Sequence, residues 1–294
     1  MNKRGLNFRP DYPGCVTEDG PLKSLSKTPN KLSRINDTPV RFHMIDHEIK
    51  DAVRKSWDHS SVKYDNCPGH GIGTGEEKIA WRHELDRHLP ESPQKVLDVG
   101  CGTGVMGLLL AEMGHQVTGI DLSETMMAKA REKADAQKLS IDLMAGDAEH
   151  LPFNDASFDV VVNRHLVWTL PHPEIALKEW NRVLKKGGVV LIIEGIWKDN
   201  RFSIRVKRIV SDGLAKIFGH THGGHYDEKL RRELPYDGGV PKEAMVSDLE
   251  HAGLAVISYR DLMYIQEMQK PRQPWYRRFA PGKTYYIIAA VKQT

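Results

Sequence analysis

The chain's 294 residues suffice for one large domain or a core domain with additions, and 40% hydrophobic with 28% charged residues is ordinary soluble-protein composition. Net charge is only +3, with Lys and Arg scattered, so the basic block of a nucleic-acid partner is missing. No apolar run approaches the roughly 18–20 residues that cross a bilayer, so no membrane partner is expected.

The first stretch, MNKRGLNFRPDYPGC, has no apolar core of signal-peptide type. Cys15, Cys67 and Cys101 are odd in number and lack metal-site spacing, which points to a reducing cytoplasm without disulfides or zinc. Residues 1 to about 40 are rich in Pro, Gly, Asn and Lys and read as a flexible arm or a lid. Met44, Ile45, Ile49, Val53 and Trp57 recur at helical spacing over 41–65. CPGHGIGTG (67–75) reads as a loop, and 76–89 as an amphipathic helix.

From Gln94 the pattern changes to short apolar strands alternating with helices. Strands are expected at 95–100, 116–123, 141–150 together with its exit turn, 158–165 and 189–195. Helices are expected at 105–114, stopped by Gly114, at 124–138, capped by Ser123, and at 173–184, stopped by Gly187 and Gly188. That alternation predicts a parallel sheet with helices on both faces. Residues about 198–245 break it and read as a mainly helical cap insertion. Two strands, 254–262 and 284–292, close the chain. The expected division is an N-terminal arm with lid helices over 1–90 and a main domain over 91–294.

Gly100, Cys101, Gly102, Thr103 and Gly104 follow a strand and open a helix, a place where glycines let backbone turn tightly and approach a ligand. Asp98 precedes the turn. Asp121 ends the next strand, where a carboxylate can accept from two ribose hydroxyls. The third glycine comes two residues after the second, not three as in the dinucleotide fingerprint. Asp98 would repel a pyrophosphate and attract a cationic amino-acid group. The alternative is a tight turn without a ligand.

VLDVGCGTG, GIDLS, GDAEHLPF, FDVVV and LKKGG, in this order, resemble the motif series of class I S-adenosylmethionine-dependent methyltransferases over roughly 94–195. The resemblance implies an α/β, Rossmann-like fold with a mostly parallel seven-stranded sheet and S-adenosylmethionine as cofactor. It implies that Asp98 and the 100–104 backbone hold the methionine part, and that Asp121 holds the ribose with Leu122 and Met126 beside it. It puts Asp147 and Ala148 at the adenine, and Asn163 and His165 next to the transferable methyl. WDHSSVKYD (57–65) with GHGIGTGEE is similar to an N-terminal helix of small-molecule members in which Trp and Tyr cover the cofactor. Aromatic faces favour a sulfonium cation, so Trp57 and Tyr64 either cover it or pack the helix on the core.

Methyl transfer is in-line displacement, so alignment and water exclusion come first and a base is optional. His165 either accepts a proton or only positions the acceptor. Arg164 either binds a substrate carboxylate or joins a surface ion pair. Trp168 reads as pocket wall or core, and Tyr226 and Tyr236 either close the substrate pocket or pack. His220, His222 and His225 fall close together, and the reading preferred is a polar loop without metal.

The chain lacks an Asn/Asp-Pro-Pro-Tyr/Phe after the fourth strand, a Pro-Cys nucleophile and a double-Glu loop, which favours a small-molecule acceptor. NRHLVWTLPHPEIALKEW (163–180), the N-terminal arm and HGGHYDEKLRRELPYDGG (222–239) resemble bacterial methionine S-methyltransferases. That resemblance implies methionine sulfur as acceptor. An amino-acid acceptor needs a carboxylate clamp, for which Arg34, Arg41 and Arg164 are candidates, and an ammonium partner, for which Tyr236 and Trp81 are candidates. Methylation of N, O or C in another metabolite, a regulatory protein that binds the cofactor without catalysis, and a homodimer stay open.

Overall fold

A computed structural model describes residues 39–62, 64–66, 69–89, 93–196, 209–211, 213–214, 217, 226–278 and 284–293. Its centre is a seven-stranded sheet in the order β3-β2-β1-β4-β5-β7-β6. The strands are β1 (Lys95–Val99), β2 (Gln116–Asp121), β3 (Asp142–Ala145), β4 (Phe158–Arg164), β5 (Leu184–Ile196), β6 (Leu254–Asp261) and β7 (Thr284–Lys292). The first five run parallel, and β7 lies antiparallel between β5 and β6.

The central strands are apolar at successive positions because both faces are covered. Side chains alternate across the sheet. Leu97, Val99, Val161 and Ile192 enter one core with Trp180. Val96, Val160, Val162 and Leu191 enter the other with Trp81 and Leu85. Strand order reverses at β1, whose neighbours β2 and β4 lead outward in opposite directions. The crevice outside the strands' carboxyl ends at such a point is where open α/β sheets bind ligands.

The first half of the chain supplies α1 (Pro39–Ser60), α2 (Gly75–Asp86), α3 (Val105–Glu112), α4 (Glu124–Gln137) and α5 (Pro173–Val183). Thr74 and Ser123 cap α2 and α4, their hydroxyls accepting from Glu77 N–H and Met126 N–H. Beyond β5 come α6 (Glu228–Glu233), α7 (Lys242–His251), α8 (Met263–Gln269) and α9 (Trp275–Arg278). Helix α1 lies over the carboxyl edge of the sheet. There Ile49 and Val53 pack with Tyr226, Leu230 and Leu234, and Trp57 and Trp168 lie against them.

Two differences from the sequence reading have physical causes. β5 starts at Leu184, so Gly187 and Gly188 lie inside the strand at a register shift instead of stopping α5. A Cβ on Gly188 would come 2.8 Å from the Lys185 carbonyl oxygen, so the irregular segment needs glycine. Residues 263–283, to which periodicity assigned no element, hold α8 and α9, two helices too short to carry a strong period. Of the expected mainly helical insertion over 198–245, the described part holds helical residues at 209–211, 213–214 and 217, α6, the start of α7 and an isolated bridge from Gly239 back to Ile196.

Candidate functional site

A cleft of about 780 Å³, counted with its open mouth, runs along the carboxyl ends of β1, β2, β3 and β4 beneath α1. The turn after β1 forms its floor. Gly100, Gly102 and Gly104 all adopt positive φ, at 66°, 52° and 77°. At φ 66° a side chain on Gly100 would be strained, and its Cβ would lie 2.7 Å from Leu166 Cδ1. The turn is tied to β2, since Gly100 N–H and Cys101 N–H both donate to the Ile120 carbonyl.

Two carboxyl groups flank the turn. Asp98 is 2% exposed, and its Oδ2 accepts from Gly107 N–H at 2.8 Å. Burial, with the nearby Asp121 charge adding, pushes it up to about 7. Asp121 accepts from Gly102 N–H and Ser123 N–H, each at 2.8 Å, and burial pushes it up to about 6. Leu122, Met126 and Ala148 complete this wall.

Helix α1 and the short turn after it are held over the cleft by polar contacts with every loop around it. Asp46 meets His172 Nε2 at 2.9 Å. Lys50 lies 2.7 Å from Asp147 and 2.5 Å from Glu149. Ser123 Oγ donates to Asp58 at 2.5 Å. Asp65 accepts from Thr103 at 2.6 Å and from Lys133 at 2.8 Å. Asp147, Glu149 and His150 come close enough to share a cation, but the Lys50 ammonium already neutralises that group.

Aromatic rings close one end. Trp57 touches Tyr64, Trp168 and Tyr226 edge-on at 5.8, 6.1 and 6.5 Å between centroids. Tyr64 packs on His70 at 4.4 Å. His165 follows β4 with φ 59°, an uncommon conformation for a side-chain-bearing residue, and its N–H donates to the Ile193 carbonyl. Its ring lies 5.0 Å from Tyr285 and 6.3 Å from His70. Behind this corner, fully buried Glu194 accepts from Val167 N–H at 2.7 Å, and burial pushes its carboxyl up to about 8.

The structure thus gathers Trp57, Tyr64, Asp98, Gly100, Cys101, Gly102, Asp121, Leu122, Met126, Asp147, Ala148, Arg164 and His165 around one cleft and its inner end. Gly104 sits behind them, starting α3. It does not bring Asn163, Trp81 or Tyr236 there. Asn163 is fully buried on the sheet face that carries Val161, and no hydrogen bond reaches its amide among the described residues. Trp81 is 2% exposed and serves as a platform beneath Arg164. Tyr236 is turned to α7, where its hydroxyl donates to Asp248. Trp168 and Tyr226 pack on Trp57 and support the cleft from behind. Arg34, the Arg41 side chain, and His220, His222 and His225 lie outside the described residues.

His70, Lys50 and Tyr285 are neighbours that the sequence reading did not single out. His70 was visible as the one non-glycine polar ring in a Gly-rich loop; Lys50 and Tyr285 carried no local signal. No helix among the described residues is long and apolar enough to cross a membrane.

Residues 97–192 match the family profile described as a methyltransferase domain. Demethylmenaquinone methyltransferase of Staphylococcus aureus strain MRSA252 is 38% identical over 149 residues, which is 49% of this chain and 61% of that protein. The chain therefore aligns with less than two thirds of the length of such relatives. Among solved structures, the [4+2]-cyclase SpnF superposes with a TM-score of 0.59 at 21% identity, over 82% of this chain and 96% of its own. Phosphoethanolamine N-methyltransferase 2 of Haemonchus contortus, solved with phosphomonomethylethanolamine and S-adenosylhomocysteine, gives 0.60 at 20% identity, over 84% and 60%. These two likenesses show the Rossmann-like fold. The match to the methyltransferase-domain profile runs from β1 into β5, about a third of the chain.

Proposed function

We propose that the chain transfers methyl groups from S-adenosylmethionine to a small molecule. The observation that carries this reading is the cleft itself: a positive-φ glycine turn with Asp98 on one side and Asp121 on the other, roofed by α1. The residues fit the cofactor's parts. Asp121 keeps lone pairs for two ribose hydroxyls after accepting from two backbone N–H groups. Asp98 suits the ammonium of the amino-acid tail. Asp147 and Ala148 border the adenine end, and the Trp57 and Tyr64 rings suit a cationic sulfur.

When bound, S-adenosylmethionine supplies an electrophilic methyl on that sulfur. The chain's own work is to hold the acceptor in line and keep water out. The aromatic group around Trp57 and the contacts of α1 serve exclusion. His165, held in its corner by the Ile193 carbonyl, is placed to orient the acceptor or to take its proton.

The finer acceptor reading, methionine sulfur, rests on the resemblance of residues 163–180 and 222–239. It needs no base. The relatives named demethylmenaquinone methyltransferase support instead an acceptor that loses a proton, for which His165, whose ring lies 6.3 Å from that of His70, would be the base.

One product screen tests all of this. Purified protein with methyl-labelled S-adenosylmethionine is offered methionine, thiols, amines, phenols and hydroquinones, and products are identified by mass. A labelled small-molecule product is expected. Binding of the cofactor with no transfer to any class would overturn the enzymatic reading in favour of a cofactor-binding regulator.

A further inference from the structure

Arg164 ends β4 on the face that Val160 and Val162 share, so it projects past the core at the carboxyl edge of the sheet. Its guanidinium lies over the Trp81 ring at 5.0 Å, and one nitrogen donates to the Gly69 carbonyl at 2.5 Å. A guanidinium held flat on an indole is fixed in orientation, and its fork suits a planar anion. Its Nε is buried and makes no hydrogen bond among the described residues. A buried charged donor left unpaired is costly unless a ligand takes it.

Among the described residues no carboxylate comes within 4 Å of its guanidinium nitrogens. Glu77 already accepts from Gln269, Arg272 and Gly73. Tyr64 and Tyr285 are pushed up by burial and stay neutral phenols. Asp98 lines the same inner end of the cleft as Arg164 but makes no ion pair with it within 4 Å. This end therefore offers one buried cation and one buried carboxyl, the complement of an amino-acid zwitterion.

We infer that Arg164 reads the α-carboxylate of the cofactor's amino-acid tail, opposite Asp98, which takes the α-ammonium. The inference rests on the reading of the cleft as an S-adenosylmethionine site. It gives Arg164 a place on the cofactor side, in place of the substrate-carboxylate and surface-ion-pair roles the sequence left open. Trp81 and the Gly69 carbonyl are then positioning groups for the guanidinium.

The test is calorimetric and needs no turnover. S-adenosylhomocysteine is compared with its decarboxylated analogue, which keeps the ammonium and lacks only the carboxylate. Wild-type protein is expected to bind the analogue roughly 10- to 100-fold more weakly, the span of a charge-assisted contact. Arg164→Met should weaken S-adenosylhomocysteine to the same degree and leave the analogue unchanged, with Arg164→Lys in between. Equal wild-type affinity for the two ligands overturns the inference without any variant, which covers the case in which Arg164→Met fails to fold. An equal carboxylate effect in wild type and Arg164→Met overturns it as well. Failure of wild type to bind either ligand removes both this inference and the cofactor reading. Binding with the predicted carboxylate dependence but no methylated product sustains the inference while the enzymatic reading falls.

Discussion

Lys50 on α1 places its ammonium 2.5 Å from Glu149, a carboxylate with no exposed side-chain surface on the loop after β3. Asp147, on the same loop, lies 2.7 Å from the same nitrogen. The contact joins the helix that roofs the cleft to the loop after β3 that lines it. Burial holds Glu149 above the usual carboxylate range even with Lys50 beside it, so its charge depends on that partner. Lys50→Met should cost about 3 kcal/mol, because it leaves a buried carboxylate unpaired. In a chain of this size that is a fall in Tm of roughly 5 °C. Adding Glu149→Gln should recover part of the loss. Thermal melts of wild type, single and double variants check this, and an unchanged Tm in Lys50→Met would remove the ion pair from the account.

Asp121→Ala should weaken S-adenosylhomocysteine roughly 10- to 100-fold, since hydrogen bonds to a charged group are worth about 1.5–3 kcal/mol. The change also frees Gly102 N–H and Ser123 N–H, which the carboxylate holds at 2.8 Å. Calorimetry measures the affinity, and circular dichroism checks that the variant folds. Unaltered affinity in a folded variant would withdraw Asp121 from the ribose.

The part of the cleft proposed to hold the cofactor was legible because its signals are local. A strand, a glycine turn and a helix occupy Lys95–Glu112 without interruption, and Asp121 sits one β-α-β unit on. Burial on both faces gave β1, β4 and β5 their near-continuous apolar runs. The acceptor half was less legible because long-range packing decides it. Nothing local distinguishes Trp81, committed to the core beneath Arg164, from Trp57, which lines the cleft. Tyr236 carries a pocket-like sequence context, yet its hydroxyl is turned to Asp248. Asn163 and Arg164 are adjacent on one strand, and the period of two sends one into the apolar core and the other to the cleft. Lys50 became visible only once α1 had docked, 97 residues in sequence from Asp147.

Cofactor binding should release a proton in weakly acidic solution. Burial raises Asp98 to about 7 and Asp121 to about 6 in the unliganded chain. Folded values above the ordinary one mean that the protonated forms favour folding, and this contribution fades as pH rises through 6 to 7. An ammonium beside Asp98 favours the carboxylate instead, so affinity for S-adenosylhomocysteine should increase as pH rises through about 7. Calorimetry at pH 6 in buffers of different ionisation enthalpy reads the proton directly. Asp98→Asn should remove the part of the pH dependence centred near 7. A buffer-independent heat in wild type at pH 6 would show that Asp98 is already ionised.

The contact at the start of α1 should weaken in alkali. His172 meets Asp46 Nε2-to-Oδ1 at 2.9 Å and Glu174 through Nδ1 at 3.7 Å. Glu174, then Asp46, raise the imidazole to about 9, against burial acting the other way. The folded value lies above that of the free residue, so protonation favours the folded state. The contribution is complete below about 6.5, the ordinary histidine value, and is lost as pH rises through about 9. Solvent screening of this half-buried group limits it to about 1 kcal/mol. His172→Gln should therefore melt a few degrees below wild type at pH 6, and the two curves should converge by pH 10. Melts of both proteins at intervals between pH 6 and 10 measure the gap. A gap of constant size would mean that His172 acts by packing, and that the charge pairing with Asp46 does not hold α1 over the cleft.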